Sequence, residues 1–173
     1  MRFHEVNSEL WLGDFDAENC FRLEDENHYD KVLKHQSIQT VDFILHRPDK
    51  ATLFLVEAKR SLYESRKGFD NDIKNYTRQF VDGLTLVCST WLGGHSGKIN
   101  LPEGIQHFFK HSGKVVLVLV VKYCKKNELN NFEDAIKKHF RENSPIWGDF
   151  EIIALDEDMA KKENLVLELE DAS

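Results

Sequence analysis

Asp42 and Glu57 stand in two apolar stretches, VDFILH and TLFLVEAKR, and Lys59 follows Glu57 by two residues. The segment between, HRPDKA, is turn-forming: Pro48 fixes φ, and Asp49 can bond back to its own backbone. A turn centred between Asp49 and Lys50 opposes residues whose numbers sum to 99, so Asp42 faces Glu57, Phe43 faces Val56 and Ile44 faces Leu55. The strand period of two then puts Lys59 on the same face as Glu57. Two opposed carboxylates repel unless positive charge lies between them. Lys59 supplies part of it, and two hard oxygen ligands with room for water also suit Mg²⁺ or Mn²⁺. A divalent ion held there would polarise a phosphodiester oxygen and stabilise charge on the leaving oxygen. Lys59 would orient the attacking water or help to deprotonate it. The plainer alternative is an exposed Glu57–Lys59 ion pair worth at most about 1 kcal/mol, with Asp42 a solvated acid. Apolar flanks on both strands weigh against it.

Positioning these groups requires a hairpin inside a sheet. Val41, Phe43, Leu45, Phe54 and Val56 are expected on one face, and Ile44, Leu53 and Leu55 on the other. A hairpin apolar on both faces belongs in the interior of a layered fold. Downstream, Phe69, Ile73, Tyr76, Phe80, Leu84, Val87 and Trp91 step by three or four residues and predict one long helix, stopped by Gly93-Gly94. Residues 93–113 read as a loop with one helical turn at GIQHFFKH. KVVLVLVVKYC predicts a strand buried on both faces, and NELNNFEDAIKKHFREN a helix with Phe132, Ile136 and Phe140 inward. DFEIIAL reads as a strand, and the alternating tail ENLVLELED as an edge strand. Near the N-terminus, Trp11, Leu12 and Phe15 suggest a helical stripe and NCFRLED a short strand. The order gives an α/β three-layer sandwich: a central mixed β-sheet with helices on both sides.

VDFIL and LVEAKRS, with 14 residues between Asp42 and Glu57, resemble the active-site signature of the PD-(D/E)XK nuclease superfamily, the restriction-endonuclease-like fold. The likeness covers roughly residues 36–124. It implies Asp42 and Glu57 as metal ligands, the Ala58 carbonyl as a third, and Lys59 as the catalytic lysine. It further implies a Mg²⁺- or Mn²⁺-dependent endonuclease acting on DNA, with RNA left open as the substrate. Val41 stands where the family name has proline. Many members carry a further acid on an N-terminal helix, for which Glu18, Glu24 and Glu26 compete. Some carry Gln-x-x-x-Tyr on the following helix, where this chain has the reverse, Tyr76-x-x-Gln79.

Other patterns carry less. His107 and His111 have a spacing that suits zinc, but only His95 is near enough to join them, so local packing is expected. GGHSGKI lacks both the spacing and the hydroxyl of a phosphate-binding loop. Arg60, Arg66, Lys67, Lys74 and Arg78 read either as a solvated face or as a rim tracking phosphates.

Composition bounds the rest. The chain has 173 residues, 41% hydrophobic and 31% charged, with 9 Gly and 3 Pro, which excludes disordered and fibrous classes. One domain, residues 1–173 with a core at roughly 36–155, is expected. The longest apolar run, Val115–Val121, is far short of a membrane span. The first residues lack the apolar stretch of a signal peptide, and three scattered cysteines suit a reducing cytoplasm. A net charge of −7 argues at first against nucleic acid. It is concentrated at the ends: residues 1–46 carry 4 basic and 10 acidic side chains, and 156–173 carry 2 and 7. Residues 47–78 carry 8 basic and 5 acidic. At this size a nuclease that cuts both strands would need a homodimer or a partner subunit. The competing class is a non-catalytic module of the same fold that binds nucleic acid or a protein.

Overall fold

The computed structural model of the chain describes residues 1–23, 38–62, 66–94, 99–111, 113–147 and 150–168. Its seven strands are β1 (Phe3–Glu5), β2 (Leu10–Leu12), β3 (Cys20–Arg22), β4 (Phe43–Arg47), β5 (Thr52–Ser61), β6 (Lys114–Tyr123) and β7 (Glu151–Asp156). Among the described residues four α-helices accompany them: α1 (Arg66–Trp91), α2 (Glu103–His111), α3 (Lys126–Asn143) and α4 (Glu157–Lys162). The strands β3-β4-β5-β6-β7 form one sheet in that order, and β1-β2 a separate hairpin. Pairing is antiparallel from β3 to β5 and parallel from β5 to β7, so the sheet is mixed.

From Phe43 to Arg47 the β4–β5 hairpin has the register read from the sequence, while the expected Asp42–Glu57 pair lies outside the ladder. Phe43 pairs with Val56, Ile44 with Leu55, and Arg47 with Thr52. Between them Pro48–Lys50 makes one 3-10 turn, closed by Ala51 in the left-handed region at φ 46°. The chain bends at Asp42, before regular alternation begins. Val41 therefore packs with Ile44, Leu53 and Leu55, not with Phe43 and Leu45 as the alternation implied.

One face of the sheet is covered by α1, α2 and α3. Ile73, Tyr76, Phe80, Leu84 and Val87 are buried from α1, with Phe69 and Trp91 partly so, which matches the expected stripe. The register that brings α1 down is close: a Cβ at Gly83 would lie 3.5 Å from Val41 and 3.6 Å from Leu55. The helix ends as expected, with Gly93 at φ 86° and the Gly94 N–H donating to the Ser89 carbonyl at 2.8 Å. Leu129, Phe132, Ile136 and Phe140 are buried from α3. Phe132 receives the edges of Phe69 and Tyr76, with centroids 5.0 and 5.6 Å apart. The GIQHFFKH segment, with Glu103 before it, forms a nine-residue helix rather than a single turn, because Ile105 and Phe108 both reach this core.

The opposite face carries less helix than the sequence implies. The β1–β2 hairpin, Phe15, the short α4 and residues 165–166 cover Phe43, Leu45, Phe54, Val56 and Val116, Val118 and Val120 of β6. Phe3 meets Phe43 edge-on and Phe15 stacks on it, each with centroids 5.3 Å apart. Leu12 is thus a strand residue, not part of a helical stripe, while NCFRLED does supply β3. The described residues of the tail, 163–168, form no edge strand. Leu165 and Val166 are both buried, which breaks the period of two, and only Val166 makes a lone bridge to Leu12. No helix among the described residues is long and apolar enough to cross a membrane.

Candidate active site

Strand alternation along β5 sends Leu53 and Leu55 into the core beneath α1. Glu57 and Lys59 continue that face toward the carboxyl end of the strand. The carboxyl ends of parallel strands are where open α/β sheets leave a crevice for ligands. Here the crevice is a cleft of about 560 Å³ lined by Gln39, Thr40, Lys59, Arg60, Tyr76 and Gln79, with Asn7, Asp72 and Asn75 at its sides.

Glu57 is 1% exposed, and its carboxylate is held by two donors. Lys59 Nζ lies 2.5 Å from Oε1, and Gln79 Nε2 donates to the same oxygen at 2.8 Å. A buried carboxylate needs such partners to offset its lost hydration. Lys59 is more open, with 30% of its side chain exposed, and its ammonium sits 5.8 Å from the centre of the Tyr76 ring. Asp42, also buried, accepts the N–H of Ala58 on Oδ2 at 2.7 Å. That bond replaces the ladder where β4 bends away, and ties the Asp42 carboxylate to the strand that carries Glu57. In an extended strand the N–H and C=O of one residue point to the same edge. The Ala58 carbonyl is therefore directed to the side of Asp42.

The donors gathered here are all oxygens: two carboxylates, one carbonyl, and the Gln79 amide. Gln79 Oε1 and Thr40 Oγ1 are buried without a hydrogen-bond partner among the described residues, so both can accept or bind something further. Hard oxygen donors with only two carboxylates fit Mg²⁺, which keeps several waters and completes its shell with substrate phosphate. They do not fit an all-protein cage: among the described residues, no group of three His, Cys, Asp or Glu side chains is arranged for a metal.

Gln79 thus stands against Glu57, and Tyr76 lines the cleft beside Lys59, although their order in the chain reverses the familiar motif. Asp72 was not singled out in the sequence. It is 5% exposed in the cleft wall, one helical turn before Tyr76. Its signal was spacing: Asp72, Asn75, Tyr76 and Gln79 recur at three and four residues, a polar edge beside the apolar stripe. Of the N-terminal acids, Glu18 is exposed at the far end of β4, its carbonyl accepting the Gly104 N–H at 2.9 Å. Glu24 and Glu26 lie outside the described residues.

The basic cluster is dispersed. Arg60 lines the cleft and pairs with Glu9 at 3.2 Å, Arg78 pairs with Asp82 at 3.5 Å, and Lys67 and Lys74 are exposed away from the cleft. The side chain of Arg66 is outside the described set. His107 and His111 stack with centroids 4.1 Å apart, and His46 comes within 6.5 Å of His107. This is packing beside Phe108, far from Asp42 along β4. His95 is outside the described residues.

No family model, curated protein or solved structure matches this chain. Its function is accordingly argued from the site itself.

Proposed function

We propose that the protein is a divalent-metal-dependent nuclease of the restriction-endonuclease-like fold that hydrolyses phosphodiester bonds in DNA. The observation that carries this reading is that the buried carboxylates of Asp42 and Glu57 are tied to the same end of β5, Asp42 through the Ala58 N–H and Glu57 through Lys59, which opens to the cleft. Asp42, Glu57 and the Ala58 carbonyl would hold Mg²⁺ or Mn²⁺. When bound, the ion supplies Lewis-acid stabilisation of charge on the phosphate and the leaving oxygen. The remaining work falls to the chain. Gln79 holds the Glu57 carboxylate in place through its amide N–H. Lys59, paired to Glu57 and partly open to the cleft, orients the attacking water and offsets charge on the phosphate. Tyr76 walls the ammonium on its apolar side. The three free cysteines are compatible with a reducing cytoplasm.

A second reading, a non-catalytic module of this fold binding nucleic acid or a protein, is favoured by the donor set of only two carboxylates. One experiment separates the two. Plasmid and single-stranded DNA are incubated with the protein in Mg²⁺ or Mn²⁺, alongside Lys59→Ala. The nuclease reading expects cleavage that falls by at least about 100-fold in the variant, in the range of general acid–base contributions. Cleavage undiminished in Lys59→Ala, or absent from the wild type, overturns it.

A further inference from the structure

Beyond Lys59 the end of the sheet presents an aromatic ring. Tyr123 is the last residue of β6 and pairs with Ser61 of the cleft wall. It is 55% exposed, whereas Tyr76, the ring beside Lys59, is 5% exposed. Two cations attend it: Lys122 Nζ lies 5.2 Å from the ring centre and the Arg60 guanidinium 6.0 Å. Both are tethered to Glu9 in the β1–β2 turn. Arg60 pairs with its carboxylate at 3.2 Å, and Lys122 donates to its carbonyl at 2.8 Å. The same turn lends Asn7 to the cleft wall. An exposed ring costs free energy to keep in water, and this one stands at the margin of the cleft, beside Arg60 of its wall and a second restrained cation.

We propose that Tyr123 is a base-stacking platform, and that the cleft takes a single strand of nucleic acid whose base next to the phosphate at Lys59 lies on this ring. The inference rests on the nuclease reading for its phosphate site and adds the class of substrate. An aromatic face beside positive charge binds unpaired bases of any sequence. A base still paired in a duplex has no face to offer. Arg60 and Lys122 meet the adjoining phosphates, and Glu9 keeps both from swinging into solvent.

The test measures anisotropy of labelled oligothymidylate, the matching oligouridylate and a duplex of equal length, with EDTA present so that nothing is cut. Tyr123→Ala and Tyr123→Phe are compared with the wild type, exposure of the side chain making either substitution harmless to folding. The expected result is single strands bound more tightly than duplex. Tyr123→Ala loses about 10-fold or more, and Tyr123→Phe keeps wild-type affinity. Both single strands offer unpaired pyrimidine faces, so binding of each is expected to weaken in Tyr123→Ala. Equal affinity of Tyr123→Ala and wild type, or duplex bound as tightly as single strand, overturns the platform. Strands bound through Tyr123 but uncut in Mg²⁺ would remove the nuclease reading and leave the platform standing. Cleavage with no effect of Tyr123→Ala would do the reverse.

Discussion

Gln79 and Glu57 meet where α1 crosses β5, the amide Nε2 donating to the carboxylate Oε1 at 2.8 Å. The contact joins a helix and a strand, and it explains how a carboxylate 1% exposed is tolerated in an otherwise apolar strand. Gln79 is a positioning residue in this site. Replacing it with Met keeps the length and removes the donor. Loss of about 1–3 kcal/mol of stability is expected, as for a hydrogen bond to a buried charge. The Glu57→Gln/Gln79→Met double variant should be less destabilised than the two single costs added. The difference, about 0.5 kcal/mol or more, is read from urea denaturation of all four proteins.

Asp42 has two duties that different substitutions separate. Its Oδ2 caps the Ala58 N–H at 2.7 Å, and its carboxylate would be a metal ligand. Asp42→Asn keeps an acceptor for that N–H, so stability should fall by less than about 1 kcal/mol while Mn²⁺ binding drops at least tenfold. Asp42→Ala strands a buried donor and should cost about 1–3 kcal/mol as well as the metal. Calorimetric titration with Mn²⁺ and chemical denaturation of both variants check the pair of outcomes. Equal Mn²⁺ binding by Asp42→Asn and wild type would refute the ligand assignment.

Stability should depend on the protonation of His46. Burial, reinforced by the neighbouring His107, holds its imidazole below the usual 6.5. As pH falls through about 6.5 the unfolded chain takes up the proton first, so the folded state loses ground. The slope reaches at most about 1.4 kcal/mol per pH unit, and flattens once the lowered folded value is passed. Thermal denaturation from about pH 7.5 to about pH 5.5 should show this decline, reduced in His46→Gln. An unchanged slope in the variant would assign the decline elsewhere.

Cys20 should be inert in the native protein. It is 1% exposed, and burial pushes its thiol up to about 12. Burial also raises Cys88 and Cys124, with Glu128 and Asp156 adding to the effect on Cys124. Iodoacetamide at about pH 8 should modify Cys20 only on unfolding, and the other two slowly, as followed by peptide mass spectrometry. Rapid native alkylation of Cys20 would contradict its place in β3 against the Phe43 cluster.

Much of the fold was legible because hydrophobic periodicity is a local property. The β4–β5 register followed from Pro48 and Asp49 and from two apolar runs of matched length. The α1 stripe from Phe69 to Trp91 followed from spacing alone, and the uniform valines of β6 announced a strand buried on both sides. The first 23 residues were misread in part because Leu10–Leu12 is a three-residue strand, too short to display a period. Its place was decided by Phe3 and Phe15 packing on Phe43. The tail failed for a similar reason: residues 165 and 166 are buried together against β1–β2 rather than alternately.

The sequence by itself determined that Glu57 and Lys59 share a face, because strand alternation depends only on neighbours along the chain. It also determined that the strand carrying Glu57 and Lys59 lies in the interior. Only the tertiary structure decided what meets that face. Gln79 against Glu57, Asp72 in the cleft wall, Glu9 holding Arg60 and Lys122 beside Tyr123, and Glu18 at the wrong end of β4 all depend on how separate elements dock. Docking is set by the summed burial of many side chains and by shape at close approaches such as Gly83 over Val41, and no local pattern encodes it.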